Sequence, residues 1–150
     1  MNGMTDTTGT TTTRGSSGVR VIGIIVIVLG AFFVIAGIGT YAVASSTLAD
    51  QKITVSDDAS HFAGRDVKGP LTAYAQANVI NKHATEIGGG KTYAELPQDD
   101  PNRSTVMTAS FLQASLFTSV VAFGVAAFVA VMGVILVLLG WSLMRLSRQT

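Results

Sequence analysis

The chain has two histidines, His61 and His83, and they are the first place to look for chemistry. His61 closes the string "DDASH", with Asp57 and Asp58 just before it. A metal reading would join His61, His83 and one of these acids. No spacing matches H-E-x-x-H or another recognised ligand pattern, so both histidines read as solvated polar residues and no metal is expected. Serines and threonines are plentiful, yet no G-x-S-x-G is present and no histidine stands at an interpretable distance from one. "GGGK", Gly88 to Lys91, evokes a phosphate loop but lacks the G-x-x-x-x-G-K-[ST] spacing. It reads as a helix stop. There is no cysteine, which removes disulfides and thiolate metal sites. The expectation is no catalytic site, no enzyme activity and no cofactor.

The elements that would have to position any site are dominated by apolar sequence. Apolar residues make up 48% of the 150 and charged residues 13%, about half the charged share of an ordinary globular chain. No charge falls between Val21 and Ala49, and none between Ser104 and Met144. Each run is long enough to cross about 30 Å of hydrocarbon as a helix. In lipid, an isolated apolar segment must be helical to satisfy its backbone groups, which overrides the β-branched character of "VIGIIVIV". Trp141 suits a membrane interface near the end of the second run. The net charge of +1 gives no reason to expect nucleic acid.

Ala42-Val43-Ala44 resembles a signal-peptidase site. A signal peptide, however, has an apolar core of about 7–15 residues, shorter than the run from Val21 to Ile38. Small residues give a second reason to expect a retained anchor. Gly23, Gly30, Gly37 and Ala44 recur with heptad spacing, and so do Ser119, Ala126, Gly133 and Gly140. Small residues let membrane helices approach closely. Laid antiparallel, the rungs pair Gly23 with Gly140, Gly30 with Gly133, Gly37 with Ala126 and Ala44 with Ser119. Ser115, Ala122 and Ala130 widen the second stripe.

Between the runs lies the only large polar stretch. "QKITVS", Gln51 to Ser56, alternates and predicts a short extended piece. Pro70 and the Gly88–Gly90 run bracket a predicted helix over 70–87, with Ala73, Ala77, Ile80, Ala84 and Ile87 on one face. Asp100 is placed to cap a helix starting at Pro101. The segment is too poor in large apolar residues for an independent core, so it is expected to rest on protruding ends of the two long helices.

The expected fold is an all-α membrane protein, an antiparallel two-helix transmembrane hairpin with a small, mostly helical extracytoplasmic cap. Residues 1–18 read as a disordered Thr/Gly/Ser-rich tail and 19–49 as the first membrane helix. Residues 50–101 read as the outer segment and 102–148 as a long helix spanning at about 116–144, with 149–150 as the cytoplasmic end. Arg14, Arg20, Arg145 and Arg148 flank the spans on one side, against Lys52 and Arg103 on the other. This places both termini in the cytoplasm and the loop 50–103 outside the plasma membrane.

"SSTLADQKITVSDDA", "TAYAQANVINKHA", "GGKTYAEL" and "TVMTASFLQASLFTSVVAFGVAA" resemble a group of small actinobacterial, especially mycobacterial, two-span membrane proteins of unknown function. The resemblance covers about Val21 to Ser147. Some members carry the label "aromatic ring-opening dioxygenase". Such enzymes hold iron with two histidines and a carboxylate, a constellation this chain lacks, and the label is read as spurious. The resemblance implies an actinobacterial envelope setting. The expected role is structural or accessory, with the lipid bilayer, another membrane or envelope protein, or a second copy as partner, and no small-molecule substrate. A small oligomeric pore or transport component is the alternative.

Overall fold

The structure, a computed structural model, describes residues 15–148. The tail over 1–14, with Arg14, and the end at 149–150 lie outside the described residues. Three helices follow in order: α1 (Gly15–Asp50), α2 (Pro70–Ile87) and α3 (Arg103–Leu146). Among the described residues there is no strand, only an isolated antiparallel bridge between Thr54 and Asp66.

α1 has 36 residues and α3 has 44, lengths of about 54 and 66 Å. Both are long and apolar enough to cross a membrane. Burial separates them from the core helices of a water-soluble protein. Only 17% of the most apolar window of each is buried inside the molecule. Val28, Phe32 and Ile35 on α1, and Val121, Phe128 and Val131 on α3, face outward. The residues that α1 and α3 set against each other run in opposite sequence order, Gly23 beside Gly140 and Gly37 beside Ala126.

The connecting segment folds back on these helices. α1 ends in a turn at Gln51 and Lys52, where Lys52 takes a left-handed φ of 52°. That turn consumes the start of the extended piece expected from Gln51 to Ser56. What remains is a short ladder: Val67 N–H donates to Ile53 O at 2.8 Å, and Val55 N–H to Arg65 O at 2.9 Å. Pro70 opens α2 as expected, its missing N–H costing nothing in a first turn. Gly89 and Gly90, with φ of 64° and 85°, turn the chain away after it.

Two clusters hold the segment down. Leu48 of α1, Val55, Val67, Ala73 and Ala77 pack with Leu116 and Phe123 of α3. Ala84, Leu96 and Val106 form the second. The buried face of α2 differs from the expected one. Gln76 and Val79 are buried, whereas Ile87 is 44% exposed. The buried face runs through Ala73, Gln76, Ala77 and Ala84, and Ile87, the last residue before Gly88, lies outside it. Two boundaries also shift. α1 begins at Gly15, inside the stretch assigned to the tail. α3 begins at Arg103 rather than Pro101, with Asn102 as its N-cap. The Asp100 carboxylate closes a turn instead, accepting from Asn102 N–H at 2.8 Å.

Candidate functional site

Two places carry candidate functional residues: the seam between α1 and α3, and the connecting segment. In the seam, backbones touch. A Cβ built on Gly30 would lie 2.7 Å from Gly133 O, and one on Gly133 2.6 Å from Gly30 O. A Cβ on Gly23 would lie 3.0 Å from Gly140 O, and one on Gly37 2.7 Å from Ala126 O. Real Cβ atoms do not approach backbone as closely as those at Gly30 and Gly37 would, so these two rungs admit only glycine on the α1 side. Ala130 fills the space beside Gly37. Gly39 and Gly124, off the heptad positions, have nothing within 4 Å.

The fourth rung is built differently. Ala44 packs against the cluster containing Leu116 and Phe123, and the Ser119 hydroxyl donates within its own helix to Ser115 O at 3.1 Å. At this end the Tyr41 and Phe123 rings meet with centroids 4.8 Å apart. Side chains, not backbones, fill the seam there. At the opposite end Arg20 is exposed, Arg145 stacks over Trp141 at 4.2 Å, and Arg148 is exposed just beyond α3.

In the connecting segment the histidines part company. His83 Nε2 lies 2.8 Å from Asp58 Oδ2, and Lys82 Nζ approaches the same oxygen at 3.7 Å. The hydrogen bond to His83 is the main cause holding the Asp58 carboxyl below its usual range. Desolvation opposes it, and the charges of His83 and Lys82 add smaller contributions in the same direction. His61 instead stands beside Phe62, centroids 6.4 Å apart. The two histidines share no carboxylate, and among the described residues no three His, Cys, Asp or Glu side chains are grouped to hold a metal ion. What Asp58 does here is tether the 57–62 turn to α2.

Other polar residues are absorbed by the fold. Gln76 Oε1 accepts from Ser56 N–H at 2.9 Å, satisfying a backbone donor beneath the turn. Arg103 donates to the carbonyls of Tyr93 and Leu96 and lies 4.4 Å over the Tyr93 ring. The amides of Gly88, Gly89, Gly90 and Lys91 all donate to nearby carbonyls, so "GGGK" has no free backbone N–H to cradle a phosphate. Gln76 had a visible signal, a lone polar residue three positions after Ala73 on an alanine face. The Asp58–His83 and Arg103–Tyr93 contacts join residues far apart in sequence, and no local pattern marks them.

No family model, curated protein or solved structure matches the chain.

Proposed function

We propose that α1 and α3 form an antiparallel transmembrane hairpin of the plasma membrane. It anchors a small, mostly helical extracytoplasmic cap made by residues 50–101, with both termini in the cytoplasm. The protein acts without catalysis, as a structural or accessory component that binds another membrane or envelope protein, or a second copy. This suits its resemblance to the two-span actinobacterial proteins. One observation carries the reading. The two apolar windows leave most of their residues outward-facing, around a seam of touching glycine backbones. Water would penalise that much exposed apolar surface, whereas lipid matches it, and small-residue contact is how helices pair there. Orientation follows from Arg20, Arg145 and Arg148 at one end, with Arg145 on Trp141 at interface depth.

Cross-linking in native membranes, followed by identification of the adducts, tests the accessory role. The expected result is a discrete adduct heavier than the monomer, formed through cap or hairpin residues. Recovery of monomer alone, with no partner, contradicts it.

A further inference from the structure

A cleft of about 560 Å³ opens where the cap meets α1, lined by Tyr41, Phe62, Arg65, Lys68, Leu71 and Thr72 among others. Its height along the hairpin can be counted. From Arg20 to Tyr41 the helix rises about 31 Å, and from Arg145 back to Gly124 it also rises about 31 Å. Hydrocarbon is about 30 Å thick. The two counts reach the same rung, where Tyr41 meets Phe123. Ser45 Oγ donates to Lys68 O at 2.7 Å and holds the basic wall one turn above that rung. With α1 and α3 spanning the bilayer, a reading on which this inference rests, the cleft opens at the level of the outer headgroups.

Its chemistry suits an anion attached to something apolar. Arg65 lies 5.7 Å over the Phe62 ring and, among the described residues, has no carboxylate within 4.0 Å. Lys68 is shared with Asp66 at 3.5 Å, so the three charges on this wall sum to one positive. Pro70 starts α2, and the first-turn amides of Leu71 and Thr72 have no acceptor within the helix. Beside them Leu71 is 65% exposed, and the Tyr41 and Phe62 rings complete an apolar rim. We infer that this cleft binds the phosphate headgroup of an anionic phospholipid in the outer leaflet. Arg65 and Lys68 hold the phosphate, and Leu71, Phe62 and Tyr41 cover the glycerol and upper acyl chain. A free phosphate shares the anionic chemistry but leaves the apolar rim unused.

Native mass spectrometry of the full chain tests this, using nanodiscs of phosphatidylcholine with a minor share of phosphatidylglycerol. The wild type is expected to retain phosphatidylglycerol preferentially. Arg65→Gln and Lys68→Gln should each lower that retention about fivefold. The pair Lys82→Gln and Lys91→Gln removes equal charge elsewhere on the cap and should leave retention unchanged. Equal losses in both pairs, or none in either, overturn the site. Displacement of phosphatidylglycerol by inorganic phosphate at matched concentration overturns the lipid in favour of the free ion. Extraction of the protein from vesicles by alkaline carbonate overturns the spanning reading and the site with it. Retention in the membrane with unchanged lipid binding overturns the site alone.

Discussion

The seam and the cap are two contacts made by the same pair of long helices, and they are built by opposite rules. Between Gly23 and Gly37, α1 meets α3 through bare backbone, with would-be Cβ positions 2.6–3.0 Å from the facing carbonyl oxygens. Above Tyr41 the same helices are separated by large side chains, with Leu48, Leu116 and Phe123 buried together with residues of the connecting segment. Polar tethers are added there, including Gln76 to Ser56 and Asp58 to His83. Helices surrounded by lipid gain nothing from hiding leucine from leucine, so closeness itself must stabilise them. A segment facing water gains by burying large apolar side chains and pays for any polar group left unpaired. On the proposed spanning arrangement, the change of rule at Tyr41 marks where lipid gives way to water.

Substitutions can break that contrast at either end. Phe123→Ala removes a ring that is 1% exposed and should cost about 4 kcal/mol. Denaturant unfolding in detergent micelles reads this loss, and hydrogen exchange should show it concentrated in the cap. Gly133→Leu forces a side chain against Gly30 O and Val34 N and should cost about 3 kcal/mol. Its signature is a hairpin that separates while cap amides stay protected, and a cap that loosens first would contradict the division. Gln76→Leu keeps volume but orphans the Ser56 N–H, for a loss of about 1–2 kcal/mol in the same assay.

Acid should act on the cap and not on the seam. The Asp58 carboxyl is held below its ordinary value, chiefly by the His83 hydrogen bond. The stabilisation from its charge is therefore complete above the ordinary carboxylate range and is lost as pH falls through the lowered value. Glu95, lowered by donors from Thr92, has the same sign. Melting of the wild type and of Asp58→Asn should differ near neutral pH and converge in acid. A gap that persists in acid would show that the asparagine acts through something other than charge. The smallest effect should come from Gly39→Ala, with open space around it, at within about 0.5 kcal/mol.

Legibility in the sequence divides along the same line. The α2 limits are set by Pro70 and by Gly88–Gly90, local signals with local mechanisms, and α2 spans Pro70–Ile87. The heptad glycines are a one-dimensional pattern, and the structure sets Gly23, Gly30 and Gly37 beside Gly140, Gly133 and Ala126. The pattern fades at Ala44 and Ser119, because Ala44 packs there against a cluster of larger side chains, Leu48, Leu116 and Phe123, that follows volume rather than smallness. The Asp58–His83 tether is invisible for a different reason. It depends on how the 57–62 turn lies across α2, which long-range packing fixes and no spacing encodes. Asp100 failed as a cap because Asn102, two residues on, claimed its carboxylate for a turn.

The hairpin with its cap outside the membrane is tested most directly by labelling single cysteines, since the chain has none of its own. Ser60→Cys lies in the exposed turn of the cap, and Ser147→Cys follows the last turn of α3. In intact cells a membrane-impermeant maleimide should label Cys at position 60 at once, and at position 147 only after the membrane is opened. Labelling of both positions in intact cells, or of position 147 alone, would contradict the two-span arrangement.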